Sequence, residues 1–147
     1  MYRLFFKRLL DLGVAIIVLP FWVVILTVLS PIIYFEDRGP VFYNSLRLGK
    51  DGKTFLMYKF RSMKVDAPDI RNEDGSTYNA PDDPRLTRIG KFIRKTSLDE
   101  SPQLLNVIKG DMSIIGPRPT IPPSDFSKIQ GIRRKRYEVR PGITGYT

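Results

Sequence analysis

Histidine and cysteine are both absent from the 147-residue chain. Without histidine there is no imidazole base, and without cysteine there is no disulfide, thiol nucleophile or thiolate metal site. The absence of cysteine also fits a reducing compartment. Any chemistry must fall to carboxylates, lysines, arginines and hydroxyls. Acid is scarce as well: 15 Asp and Glu face 24 Lys and Arg, for a net charge of +9. That balance implies an anionic partner (nucleic acid, an acidic membrane face or a phosphorylated substrate) without choosing among them. The residues are 42% hydrophobic, and part of that content is gathered at one end, leaving room for one modest soluble domain.

That apolar end is Leu12 to Phe35, an uncharged run of 24 residues preceded by Arg3, Lys7 and Arg8. At about 1.5 Å per residue a helix of this length crosses a hydrocarbon core of roughly 30 Å. It is long for a signal peptide and no small-x-small cleavage pattern follows it. Pro20 and the pair Ser30-Pro31 interrupt the run, and each proline removes a backbone hydrogen bond and invites a kink. Basic residues follow too, with Arg38, Arg47, Lys50, Lys53, Lys59, Arg61 and Lys64 against Glu36, Asp37 and Asp51. Basic flanks on both sides suit a helix that enters, bends and returns to one leaflet, and on these residues alone that form stands level with a simple span.

Beyond the run, Arg38-Gly39-Pro40 marks a chain reversal and Val41-Phe42-Tyr43 a short extended piece. Arg47 to Lys53 reads as a second turn with Asp51-Gly52 as its hairpin signal, and Thr54 to Met63 as a strand. Lys59 and Arg61 share the strand side opposite Tyr58 and Phe60, either as a solvated face or as phosphate ligands. Val65 to Pro81 is small, polar and proline-rich, a mobile loop that could serve as a lid. Asp82 to Lys95 reads as a short helix that delivers Arg94 and Lys95 beside Asp99.

The stretch around which these pieces are arranged is Ser97 to Gly110. Ser97 with Glu100 reads as a capping box and Gly110 as the left-handed stop of one helix. Leu104, Leu105 and Ile108 then share one face, with Asp99, Gln103 and Asn106 on another. Two adjacent carboxylates in a first turn can merely complement the helix dipole. They can also do phosphoryl chemistry, one as nucleophile and the other holding Mg²⁺, an ion that prefers oxygen ligands and substrate phosphates. Further on, Pro117 and Pro119 hold Arg118 in a fixed extended segment. Ser124 to Tyr137 is expected as a basic helix, either solvated or set against anionic headgroups.

Taken in order, several blocks resemble one family. They are Arg47-x-Gly49-x-x-Gly52-Lys53, Tyr58-Lys59-Phe60-Arg61-Ser62-Met63, Asp83-Pro84-Arg85-x-Thr87 and Arg94-Lys95-Thr96-Ser97-Leu98-Asp99-Glu100. Pro102-Gln103-Leu104, Asn106-Val107-x-Lys109-Gly110-Asp111-Met112-Ser113, Gly116-Pro117-Arg118-Pro119 and Arg140-Pro141-Gly142-Ile143-Thr144-Gly145 complete the set. The match is to the monotopic phosphoglycosyl transferases, or bacterial sugar transferases, and covers nearly the whole chain. The resemblance implies transfer of a sugar-1-phosphate from a UDP-sugar to polyprenol (undecaprenyl) phosphate, at the cytoplasmic face of a bacterial inner membrane. It assigns Asp99 as the nucleophile that forms a covalent phosphosugar intermediate, and Glu100 as the Mg²⁺ ligand.

The combined expectation is an α/β, α-rich monotopic domain. Residues 1–36 form a re-entrant membrane helix broken at Pro20 or at Ser30-Pro31, and residues 37–147 a catalytic domain with a small β-hairpin and short amphipathic helices. In the family this domain normally continues past the last motif, so the catalytic part is expected to lack its usual C-terminal portion. Lys59, Arg61, Arg94 and Arg118 are expected to neutralise substrate phosphate, supported by Gln103. Membrane lipids are expected partners and nucleic acid is not; a homodimer stays open. The rivals are a catalytically idle scaffold of the same fold and a bitopic protein whose basic domain binds acidic partners.

Overall fold

A computed structural model describes residues 2–72, 78, 80, 83–123 and 126–145. The side chains of residues 2–4, 128, 132 and 133 lie outside that description. The elements are α1 (Tyr2–Asp37), β1 (Phe42–Leu48), β2 (Thr54–Phe60), α2 (Arg88–Lys95), α3 (Gln103–Lys109), β3 (Ser113–Ile115), α4 (Ile132–Lys135) and β4 (Gly142–Thr144). Among the described residues the fold is helix-rich, with two small sheets and one long apolar N-terminal helix.

The helix α1 is 36 residues long and continues through both Pro20 and Pro31, so the break expected at Pro20 or at Ser30-Pro31 does not divide it. By length and composition it could cross a membrane. One side of it carries the core of the protein. Ala15 and Trp22 pack with Met57, Leu104, Val107 and Met112, while Leu29 and Ile33 pack with Phe60 and Ile93. Its other side exposes Phe5, Leu10, Ile16, Ile17, Phe21, Val24 and Phe35.

Both ends of α1 are bonded to the folded unit. Near its start, the Arg8 guanidinium donates to the carbonyls of Val107 (2.6 Å) and Ile108 (2.9 Å), and the buried Asp11 carboxylate accepts from Ser113 Oγ (2.8 Å) and the Ile114 amide (3.1 Å). At its end, Asp37 accepts both terminal nitrogens of Arg61, and Glu36 accepts the Arg88 amide at 2.6 Å. Glu36 thereby caps α2 from another element, beside the Thr87 hydroxyl that accepts from the Gly90 amide.

β1 and β2 form the expected antiparallel hairpin, in the register Phe42↔Phe60 to Leu48↔Thr54. Asp51 and Gly52 take the left-handed conformations the Asp-Gly turn requires. β3 and β4 pair in parallel, Ser113 with Gly142 and Ile115 with Thr144. The hairpin's free edge is covered by α3 through one side chain: Asn106 Oδ1 accepts the Tyr58 amide and Nδ2 donates to the Leu56 carbonyl, at 3.0 and 2.8 Å. Such an amide satisfies strand groups that would otherwise be buried without partners.

Three expected helices are shorter than the sequence suggests. The segment at 82–95 turns first at Pro84-Arg85, because the Asp83 carboxylate folds back onto Arg85, and helix begins only at Arg88. The basic stretch 124–137 gives a single turn at Phe126–Lys128 and the short α4, separated by Gly131 at φ 64°. The Ser97–Gly110 helix is also divided, into a single turn at Leu98–Glu100 and α3. The expected loop at 65–81 lies partly outside the described residues; of its described part, the carbonyls of Pro68, Ile70 and Tyr78 all accept from Arg85.

Candidate active site

Asp99 and Glu100 do not sit in the first turn of a capped α-helix. Ser97 has φ 57° and ψ 17°, which is left-handed, and its side chain makes no cap. The expected capping box is therefore absent. Leu98–Glu100 form a single 3-10 turn, and α3 starts after Pro102, whose fixed φ suits a helix entry. The reversal at Ser97 lets this turn project between α2 and β2. Gly110 ends α3 at φ 97°, as the sequence predicts.

Around the turn the structure gathers three of the expected cations. Lys59, from β2, donates to Glu100 Oε1 at 2.7 Å, and Arg118, from the proline-flanked segment, reaches the same oxygen at 3.3 Å. Arg94 lies in the last turn of α2, with Nε donating to Ser62 Oγ at 3.1 Å. Its placement depends on Gly90: a Cβ there would stand 1.8 Å from the Ser62 carbonyl oxygen, so only glycine lets α2 approach this closely. Asp99 has no ion pair among the described residues. Burial pushes its carboxyl above the ordinary carboxylate range, and Glu100 adds to the rise, while Lys59 and Arg94 oppose it. The result is a partly desolvated carboxylate without a cation bonded to it among the described residues, held beside a second carboxylate whose charge is already met.

Other expected site residues are placed elsewhere. Arg61 is buried with its fork on Asp37 and further donors on the carbonyls of Pro40 and Ile33, so its hydrogen-bonding capacity goes to fastening α1. Gln103 is buried at the start of α3, and Asn106 is fully buried against the β2 edge. The polar stripe that the helical spacing suggests is thus turned inward below the site. Conversely, Arg47 is not in the turn where it is expected but in β1, where partial burial and Arg118 work against its charge and Tyr43 and Glu100 favour it. Strand alternation from Tyr43 would have put it on one face with Lys59, once the hairpin register was known.

The model of the family described as bacterial sugar transferase matches residues 2–147. The chain belongs to the bacterial sugar transferase family. Among curated relatives, it is 44% identical over 146 residues to the galactosyl transferase CpsE of Streptococcus agalactiae, covering 95% of this chain and 32% of that protein. It is 49% identical over 116 residues to a putative undecaprenyl-phosphate N-acetylgalactosaminyl 1-phosphate transferase of Bacillus subtilis, covering 79% and 63%. It is also 42% identical over 143 residues to a UDP-glucose:undecaprenyl-phosphate glucose-1-phosphate transferase of Klebsiella pneumoniae, covering 95% and 30%. This sugar transferase chain therefore spans between about a third and two thirds of the length of these relatives. No group of three or more acidic, His or Cys side chains among its described residues is placed to hold a metal by itself.

Proposed function

We propose that this chain carries the chemistry of a phosphoglycosyl transfer from a UDP-sugar to undecaprenyl phosphate. The observation that carries the reading is Asp99: a partly desolvated carboxylate with no ion pair among the described residues, within the field of Lys59 and Arg94 and beside a Glu100 that is held by two cations. An Asp99 oxygen attacks the phosphorus that bears the sugar, the bond from that phosphorus to the bridging oxygen breaks, and UMP leaves. An oxygen of the lipid phosphate then attacks the same phosphorus, which frees the Asp99 carboxylate and yields the lipid diphosphosugar. Charge stabilisation by positioned guanidinium and ammonium groups is what such transfers chiefly require.

Mg²⁺ commonly takes one or two carboxylates and completes its shell with substrate phosphates and water. Glu100 fits that donor set, since both of its ion pairs fall on Oε1. The ion would neutralise diphosphate charge.

The same reading keeps both ends of α1 at the cytoplasmic face of the bacterial inner membrane, with its apolar side toward the lipid. A straight helix of this length would extend about 54 Å, well beyond a core of roughly 30 Å. Support comes from its two ends, since Arg8 and Asp11 at one and Glu36 and Asp37 at the other are bonded to a single folded unit. A span normal to the bilayer would carry one of these polar ends through the lipid or to the far side.

The test is UMP release from a panel of UDP-sugars by the purified protein with Mg²⁺, with and without undecaprenyl phosphate. A burst near one UMP per protein in the absence of lipid, lost in Asp99→Asn, is expected. Folded protein that releases no UMP from any UDP-sugar would instead identify an idle member of the family.

A further inference from the structure

The cations around the Asp99-Glu100 turn are strung along it. Arg94 acts on Asp99, Lys59 on both Asp99 and Glu100, and Arg118 on Glu100, while Arg47 lies beyond them within the field of Tyr43, Arg118 and Glu100. The hairpin register fixes that order. In the hairpin register Lys59 stands opposite Tyr43 and Arg47 opposite Phe55, so both lie on one face, four residues or about 13 Å apart along it. The Leu48 amide donates to the Thr120 carbonyl at 2.8 Å, which fastens the segment bearing Arg118 alongside the Arg47 end of the hairpin. Arg118 then reaches back to Glu100, and Glu100 to Lys59. Lys59, Glu100, Arg118 and Arg47 therefore form a series leading away from Asp99, carrying three positive charges and one negative.

Arg47 is the exception within that series. Lys59 and Arg118 both spend a donor on Glu100, but the Arg47 guanidinium makes no hydrogen bond and no ion pair among the described residues. It is nevertheless half-buried: burial works against its charge, Tyr43 and Glu100 favour it without bonding it, and the Arg118 guanidinium repels it. A desolvated, unpaired cation is costly, and its five donors in a fixed fork match phosphate oxygens.

We infer that Arg47 binds the phosphate that departs with the nucleoside, so that the site has a nucleophile end at Asp99 and a leaving-group end at Arg47. The inference rests on the function proposed above and adds a residue and a direction to it. When Asp99 attacks, the breaking phosphorus–oxygen bond leaves its electron pair on the bridging oxygen, and the departing nucleoside monophosphate gains one negative charge. Arg47 supplies hydrogen bonds to that charge as it develops. In the second step no nucleoside phosphate is present, so Arg47 has no part in it.

The experiment compares wild type, Arg47→Ala and Arg47→Lys in three measurements. UMP binding by calorimetry is expected to weaken ten- to hundredfold in Arg47→Ala and less in Arg47→Lys. The UMP burst from a UDP-sugar is expected to slow at least tenfold in Arg47→Ala, with partial rescue by added guanidinium ion. Transfer from the isolated phosphosugar-enzyme to undecaprenyl phosphate is expected at the wild-type rate. UMP affinity in Arg47→Ala within twofold of wild type overturns the inference whether or not the protein turns over. Equal slowing of both half-reactions also overturns it, because that is the result of a structural role. A wild type that binds UMP through Arg47 but shows no burst leaves the leaving-group site standing and sinks the proposed reaction.

Discussion

At the scale of single residues, the informative contrast is between Asp99 and Asp83, two carboxylates in one small protein with opposite environments. Asp83 is buried but forks onto Arg85, whose guanidinium holds its carboxyl below the ordinary carboxylate range. Asp99 is pushed above that range by burial and by Glu100, with only partial relief from Lys59 and Arg94. The linkage signs differ accordingly. Asp83 contributes stability above its unfolded-state pKa, and that contribution is lost as pH falls through its depressed folded value. Asp83→Asn is expected to lower Tm at pH 7 by roughly 5–10 °C, because Arg85 is left buried with a weaker partner, and to flatten the acid limb of a Tm-against-pH curve. For Asp99 the folded state holds its proton to higher pH than the unfolded chain does, so stability falls as pH rises between the two values. Asp99→Asn is therefore expected to keep or slightly raise Tm at pH 7 while abolishing the UMP burst. A large fall in Tm in that variant would mean that Asp99 is a structural carboxylate. The burst rate of wild type should also decline on the acid side at a higher pH than for an ordinary carboxylate, since only ionised Asp99 attacks.

At the scale of elements, Arg61 shows how a charged side chain in a basic strand can serve the fold. It ties the end of α1 to the end of β2 through a fork that lysine cannot reproduce. Arg61→Lys should therefore destabilise nearly as much as Arg61→Ala, and a double-mutant cycle with Asp37→Ala should return strong coupling, while UMP affinity of the folded protein is unchanged. A selective loss of UMP binding would return Arg61 to the phosphate site. The sequence made the hairpin, the left-handed stop at Gly110 and the delivery of Arg94 beside the acidic pair legible, because each depends on local turn chemistry or on spacing along one element; the meeting of Lys59 and Arg118 at Glu100 joins separate elements and is not carried by spacing. It did not reveal the left-handed Ser97, the inward turn of Gln103 and Asn106, or the choice of Asp37 rather than phosphate as the partner of Arg61. Those follow from tertiary contacts between segments distant in the chain, and Asn106 is the clearest case. Its helical spacing with Asp99 is that of a polar stripe, yet its amide is spent on the free edge of β2. Asn106→Ala should cost about 2–4 kcal/mol, since it orphans a strand amide and a strand carbonyl at once.

At the scale of the whole molecule, the deciding feature is that α1 is both the most apolar element and a component of the core. Its buried side binds α3, β2 and α2, and its exposed side carries Phe5, Phe21 and Phe35 with the aliphatic residues between them. A helix that merely anchored a soluble domain would be bonded to it at one end. Here the polar contacts at Arg8 and Asp11 and those at Glu36 and Asp37 require both ends to stay with the domain, and basic residues flank both sides of the apolar run. Removal of residues 2–37 is accordingly expected to unfold the remainder rather than release a soluble enzyme. The native chain has no cysteine, so single reporters can be introduced without a background. With Tyr2→Cys and Lys64→Cys made separately, a membrane-impermeant maleimide should label both in inside-out vesicles and neither in right-side-out vesicles. Labelling of the two positions from opposite sides would establish a span, separate the acidic pair's domain from the start of α1, and require that the contacts of Arg8 and Asp11 be broken in the membrane.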